Sequence, residues 1–404
     1  MKLLQITVSK NDLYCNGFTF NLTTRDLVRK DKNAADTYVQ ALKIKPNLYT
    51  QNVIALTGTT ATGKTIMLEI IGCALHIISS YDRLNDPFVK SVLDKLTACT
   101  HEISISFTFC NTDDKDSLHI YRLDSVIRYD KTKSNYYYVD ENLYSMPVTK
   151  FKTELGYEQI KAYSDHQKST VSRVNSKDDP FLLSDTSIVI SLKRMSCNYV
   201  SNLSEINIRT PDLADYNKKD FIHCFDPSID SLIIKKQASG YIAKASFKRG
   251  NSAEKESIHT LENLISSGTI KGISLLSLAV TTLEKGDYLL VDDIEDHLDK
   301  QFIIFILELF TNSNTNPYGA SLIFTTHHLE LLNAFQRKDN IYLTSSDDSN
   351  SLELTRFDIN RVITDKNLKK SDLISYRLMA HYASKSVSFI KAYKLIENLL
   401  GGNK

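Results

Sequence analysis

Gly58, Gly63, Lys64 and Thr65 stand at the spacing G-x-x-x-x-G-K-[ST] within Gly58-Thr59-Thr60-Ala61-Thr62-Gly63-Lys64-Thr65. A loop of this composition lets consecutive backbone N–H groups curl round an anion, and a helix that starts inside it points its positive end at the same place. The anion that fits is a nucleotide phosphate. Gly58, Thr60, Ala61, Thr62 and Gly63 would form the cradle, Lys64 would reach the β- and γ-phosphates, and Thr65 would hold Mg²⁺. Average residue frequencies give the bare pattern by chance in about one chain in a hundred of this length. The setting strengthens it: the apolar run Asn52-Val53-Ile54-Ala55-Leu56 precedes the loop, and Ile66-Met67-Leu68-Glu69-Ile70-Ile71 reads as the following helix. An ordinary glycine turn is the poorer explanation.

Leu289-Leu290-Val291 runs straight into Asp292 and Asp293. This is a strand ending in two carboxylates, the arrangement that serves a phosphate loop from the opposite side. Asp292 would hold Mg²⁺, and Asp293 would orient or deprotonate an attacking water. Acids after a strand are common by themselves, so the pair draws its weight from the phosphate loop.

The whole stretch Leu289–Asp299 resembles the Walker B to D-loop run of ABC-type ATPases, with Asp299 on the D-loop position. Upstream, Ile265-Ser266-Ser267-Gly268-Thr269 resembles the signature motif in the S-x-G-T form of the overcoming-lysogenization-defect (OLD) and abortive-infection group of those ATPases. Downstream, Thr325-Thr326-His327 ends a strand as the group's switch histidine does, and Arg337-Lys338-Asp339-Asn340-Ile341-Tyr342 is similar to a later segment of the group. The resemblance implies an α/β P-loop NTPase, an ABC-type head with a mostly parallel sheet, an antiparallel β subdomain and an inserted mixed or helical lobe. It also implies a homodimer, or higher homo-oligomer, around two sandwiched ATP molecules. Lys64, Asp293 and His327 would act on the phosphate, while Ser266, Ser267, Gly268 and Asp299 would serve the partner's nucleotide. The implied role is a slow ATPase in anti-phage defence that controls a separate toxin or nuclease. The segment after His327 is too short for an appended nuclease. Two departures from the pattern bear on mechanism: Asp293 stands where the group carries Glu, and no glutamine stands out as a Q-loop residue.

The elements that must position these residues divide into four stretches. Residues 1–150 form the first half of the head: strands in Lys2–Leu22 about a turn at Asn16-Gly17, the phosphate loop and its helix, and antiparallel strands in His101–Phe107, Ser117–Leu123 and Tyr136–Val139. Residues 151–253 form the inserted lobe, with a polar, mobile Ser164–Asp179. Residues 254–345 complete the head: helices over Glu254–Leu264, Ile270–Leu283 and Lys300–Thr311, and strands Tyr288–Val291 and Ser321–Thr326. Residues 346–404 hold part of a hairpin near Ser345–Ser351 and an amphipathic helix, Val387–Leu400.

The chain has 404 residues, 42% hydrophobic and 24% charged, which fits a soluble globular protein of two or three units. Net charge +1 does not advertise nucleic acid or an anionic membrane. Six cysteines without a C-x-x-C pair point to a reducing, cytoplasmic setting without zinc, and no apolar stretch is long enough for a membrane helix. Weaker readings stand beside these: His297, His327 and His328 as metal ligands, Tyr136-Tyr137-Tyr138 as a base-stacking platform, and Lys235, Lys236, Lys244, Lys248 and Arg249 as a nucleic-acid patch. Against them stand a D-loop and switch role for the histidines, division of the tyrosines between core and surface, and a solvated charged face. A DNA clamp of the SMC type is the runner-up function, with a little-hydrolysing scaffold behind it; the lack of sustained heptads disfavours the clamp.

Overall fold

The computed structural model describes residues 1–14, 17–25, 43–45, 48–79, 83–112, 117–152, 156–167, 171–174, 182–191, 200–202, 228–237, 240–248, 252–257, 266–335, 338–346 and 351–356. The expected helix Val387–Leu400 lies outside them, as do Asn16, Ile265, Arg249 and Arg337.

In chain order the strands are β1 (Lys2–Ser9), β2 (Phe18–Asn21), β3 (Lys43–Lys45), β4 (Leu48–Tyr49) and β5 (Val53–Gly58), followed by helices α1 (Lys64–Ser79) and α2 (Pro87–Leu96). Next come β6 (Glu102–Thr112), β7 (Leu118–Asp130), β8 (Asn135–Pro147), α3 (Glu158–Gln167), β9 (Val171–Ser172) and β10 (Val200–Asn202). The second half holds β11 (Ile229–Gln237), β12 (Gly240–Phe247), β13 (Ser252–Ser257), α4 (Ser267–Lys285), β14 (Tyr288–Val291), α5 (Lys300–Thr311), β15 (Ser321–Thr326), β16 (Ile341–Ser346) and β17 (Leu352–Arg356).

Two six-stranded sheets carry the architecture. One is parallel apart from its last strand, in the order β10-β14-β15-β5-β16-β17; the other is antiparallel, in the order β2-β1-β6-β7-β8-β9. The central strands β5, β14 and β15 are buried on both faces and therefore read as largely apolar runs. Alternation still sorts their side chains. Ile54, Leu56, Leu290, Ile323 and Tyr342 join the core shared with α1, whereas Val53, Ala55, Leu289, Val291, Leu322 and Phe324 join the core under α4 and α5.

Helix α1 lies between the sheets, since Met67, Ile70, Ile71, Ala74 and Leu75 share one cluster with Ile6, Ile105 and Phe107 of the antiparallel sheet. That explains a helix apolar nearly all round. Polar stitches hold the layers together. Tyr288 Oη accepts the Leu3 N–H at 2.7 Å, Tyr342 Oη donates to Asn21 O at 2.8 Å, and Lys2 Nζ donates to Gly286 O at 2.7 Å and Gly319 O at 2.5 Å. On the opposite side, α5 buries Ile303, Ile306, Leu307 and Phe310, the spacing of a one-faced helix.

Two sequence expectations are corrected. Residues Ser252–Ser257 form β13, paired antiparallel with β12, so the expected helix Glu254–Leu264 does not start there; its residues 258–264 lie outside the described set. Pairing with a neighbouring strand overrides a weak helical propensity. The polar stretch from Ser164 is not a mobile loop at its start: Ser164 is buried in α3, and its hydroxyl both accepts the Ser145 N–H at 2.9 Å and donates to Ser145 O at 2.8 Å. A serine fully satisfied by a strand edge can be buried in spite of its polarity. Elements from 151–253 are shared out: β9 joins the antiparallel sheet, β10 edges the parallel one, and β11, β12 and β13 form a sheet of their own. Tyr136 and Tyr138 are buried on one face of β8, with Tyr137 on the other, as strand alternation requires.

A buried ion pair ties Arg173 and the Ser187–Ile188 segment to β8. Glu141 is fully buried, and its Oε2 accepts from Arg173 Nη2 at 3.0 Å and from the Ile188 N–H at 2.9 Å. Ser187 Oγ donates to Glu141 Oε1 at 2.5 Å, and the Arg173 guanidinium stacks 4.7 Å from the Tyr138 ring centre. Burial pushes the Glu141 carboxyl up, against the hydrogen bonds and charge that hold it ionised. Removing one partner strands the other: Glu141→Ala is expected to cost about 3–5 kcal/mol, measured as a lowered urea midpoint at unchanged slope.

Candidate functional site

The phosphate loop leaves the C-terminal end of β5, the strand between β15 and β16. Gly58 sits where no side chain fits: a Cβ there would lie 2.3 Å from Thr344 Oγ1 and 2.5 Å from the Thr344 carbonyl on β16. Ala61 takes the left-handed conformation, φ 62°. Thr62 Oγ1 donates to Thr59 O at 2.7 Å and pairs with Thr344 Oγ1 at 2.8 Å. Lys64 opens α1, and its ammonium donates to Gly58 O at 3.1 Å and Thr59 O at 2.9 Å, which places it inside the loop. Burial pulls its pKa down, opposed by the charges of Asp293, Asp292 and Glu295.

Three parallel strand ends converge here, as ligand sites of such sheets do. Thr65 Oγ1 donates to Asp292 Oδ2 at 2.8 Å, which joins the phosphate loop to the end of β14. Between β14 and β5 lies β15, whose Thr325 hydroxyl donates to Asp292 Oδ1 at 2.6 Å and accepts the Asp293 N–H at 2.7 Å. His327, just past β15, brings Nε2 to 3.7 Å from Asp293 Oδ1. Asp293 is half-exposed with φ 44°. Burial pushes its carboxyl up, the Asp292 and Glu295 charges add to this, and His327 and Lys64 oppose it. Lys64, Thr65, Asp293 and His327 border a cleft of about 640 Å³, lined also by Leu13, Leu352, Glu69 and Lys95.

The hydroxyl of Thr65 and the carboxylate of Asp292 fit Mg²⁺, which takes one or two protein oxygens and completes its shell with phosphate and water. The crowded negative charge on Asp292, Asp293 and Glu295 favours a cation at that point.

Ser266, Gly268 and Thr269, read in the sequence as part of a signature motif, stand apart from this cleft. Ser266 is the N-cap of α4, its hydroxyl accepting the Thr269 N–H at 3.1 Å. Gly268 packs so closely on the turn after β14 that a Cβ would lie 2.6 Å from His297 O. Lys271 pairs with Asp296 of the same turn. Ser267 follows the cap as the first residue of α4. Asp299 caps α5 by accepting the Gln301 N–H at 2.7 Å. Ser266, Gly268 and Asp299 do not border the cleft, which Gly63, Lys64, Thr65, Asp293 and His327 do. The three histidines do not gather: His297 pairs with Asp296 at 3.4 Å and His328 with Glu330 at 3.6 Å, and no metal-holding group of three His, Cys, Asp or Glu occurs among the described residues.

Thr325 and Thr344 are the functional residues that motif reading passes over. Each is a strand threonine, and only the strand order β14-β15-β5-β16 reveals that their hydroxyls meet the carboxylates and the loop. A central parallel strand feeding a glycine loop into a buried helix, with carboxylates and a histidine on neighbouring strand ends, defines a P-loop nucleotide-binding protein. The chain belongs to the family described as "AAA domain, putative AbiEii toxin, Type IV TA system", which matches residues 53–333, more than half of its length. That family joins AAA-type P-loop ATPases to abortive-infection and toxin–antitoxin systems. No curated protein matches the chain.

Thr325→Val keeps the shape of β15 and removes the hydroxyl that holds the Asp292 carboxylate and the Asp293 N–H. It is expected to weaken Mg²⁺-dependent nucleotide binding by roughly tenfold, since each lost bond of this kind is worth about 1–3 kcal/mol. Titration with a fluorescent ATP analogue, with and without Mg²⁺, reads this directly.

Proposed function

We propose that this protein binds ATP with Mg²⁺, hydrolyses it slowly, and uses the nucleotide to assemble a homodimer or higher homo-oligomer that controls a separate effector in anti-phage defence. The observation that carries the reading is the 2.8 Å bond from Thr65 to Asp292, with Asp293 and His327 beside it in one cleft. Thr65 and Asp292 would hold Mg²⁺, whose charge would offset that of the phosphates. Lys64 would bind the β- and γ-phosphates, and Asp293, with His327 next to it, would orient the attacking water.

Asp293 supports the slow rate. A carboxylate one methylene shorter than Glu falls about 1 Å short of the water that it orients, a displacement worth on the order of a hundredfold in rate. Ser266 and Gly268 support assembly: they lie at a capped helix start outside the protein's own cleft, where a serine hydroxyl and N–H groups suit an anion on another molecule. The family's description supports the defence role.

The test is ATP turnover together with mass by light scattering. Wild type is expected to turn over slowly and to gain mass with ATP, Lys64→Ala to lose nucleotide binding, Asp293→Asn to hold the larger species, and Ser266→Arg to remain at the smaller mass with its cleft intact. ATP that neither binds nor changes the mass of wild type would sink the proposal.

A further inference from the structure

Glu295 stands two residues beyond Asp293 and does not border the cleft, yet it reaches across to the end of the neighbouring strand. Its Oε1 accepts the backbone N–H of His327 at 2.5 Å. Its Oε2 is buried, with no hydrogen-bond donor among the described residues. A carboxylate accepting from a backbone N–H forms a short, charge-assisted bond, about twice as strong as a neutral one.

The turn that Glu295 closes is otherwise prone to relax. Asp293 at φ 44° and His297 at φ 62° both hold a conformation that non-glycine residues seldom adopt, and such strain persists only where surrounding contacts over-determine it. Two of those contacts come from β15: the Ile294 N–H donates to Thr325 O at 3.1 Å, and the Asp293 N–H to Thr325 Oγ1 at 2.7 Å. Glu295 adds the third and makes it with His327, the residue whose imidazole faces Asp293 at 3.7 Å. The backbone of His327 is thereby fixed relative to Asp293 from behind the cleft.

We infer that Glu295 is a positioning residue: its carboxylate pins the His327 backbone to the turn after β14 and so sets the imidazole against Asp293. The inference rests on the ATPase reading above. It assigns Glu295 no contact with nucleotide, so its removal acts on turnover and not on binding. Glutamine keeps an oxygen able to accept from His327 and places its NH₂ where Glu295 has an oxygen with no donor; alanine removes the tie.

Steady-state turnover, equilibrium binding of MgATP, and hydrogen exchange of the peptide containing His327 would be measured for wild type, Glu295→Ala and Glu295→Gln. Glu295→Ala is expected to lower kcat by roughly ten- to a hundredfold, the scale of a misplacement near 1 Å, with the nucleotide Kd held within about threefold and the His327 amide exchanging faster. Glu295→Gln is expected to restore both kcat and protection. Wild-type kcat in Glu295→Ala overturns the inference, as does a Kd that rises as far as in Lys64→Ala, or a Glu295→Gln variant as slow as the alanine one. Exchange separates the two failures. No turnover in wild type sinks the ATPase reading itself, whereas turnover with equal His327 protection in all three proteins sinks only the role of Glu295.

Discussion

A parallel strand buried on both faces leaves only its ends for chemistry, and β5 obeys that constraint throughout. Its side chains are consumed by the two cores that it separates. What it offers solvent is the backbone that turns out of Gly58 into the phosphate loop. The register of β5 against β15, and of β15 against β14, then decides which residues arrive at the same edge: Thr325 pairs with Leu56, and Phe324 with Val291. One step of slippage would turn Thr325 away from the carboxylates. The bond from Thr65 to Asp292 is thus a product of sheet register more than of the residues that make it.

The second constraint is the double cover over α1. A helix with one polar stripe would suit a protein with one sheet, but here the antiparallel sheet packs on its far side. The nearly uniform apolarity of α1 costs the helix its independent solubility and in return fixes the direction in which its N-terminal end points. The anchoring tyrosines, Tyr288 and Tyr342, carry their hydroxyls from the parallel sheet to backbone groups of β1 and β2. The phosphate loop accordingly sits on a base that is rigid in two layers.

The sequence made the phosphate loop, the Asp292-Asp293 strand end, α5 and β15 legible because each combines a strong period with an unambiguous terminator: glycine, acid or cap. The helix expected at Glu254–Leu264 does not start at Glu254 because Ser252–Ser257 carries no period, and its state is set by pairing with β12. Ser164 and Glu141 were opaque for a related reason. Both are polar residues whose burial is satisfied by groups at a distance in sequence, Ser145 in one case and Arg173, Ser187 and Ile188 in the other. Within the site, residue types were readable while contacts were not. Glu295 is one such case, since only the fold-back of the turn brings it to His327.

Lys2 gives helix α4 the character of a lever. Its ammonium grips the carbonyl of Gly286, the cap at the tail of α4, and ties that end to the first strand of the antiparallel sheet. The 19 residues of α4 extend about 28 Å at 1.5 Å per residue, so a tilt of roughly 5° about the gripped tail displaces the Ser266 end by about 2 Å. Such a displacement is comparable to a hydrogen-bond length, enough to make or break an anion contact at the far tip. A disturbance of the antiparallel sheet, remote from the cleft, is therefore magnified at the Ser266 end of α4.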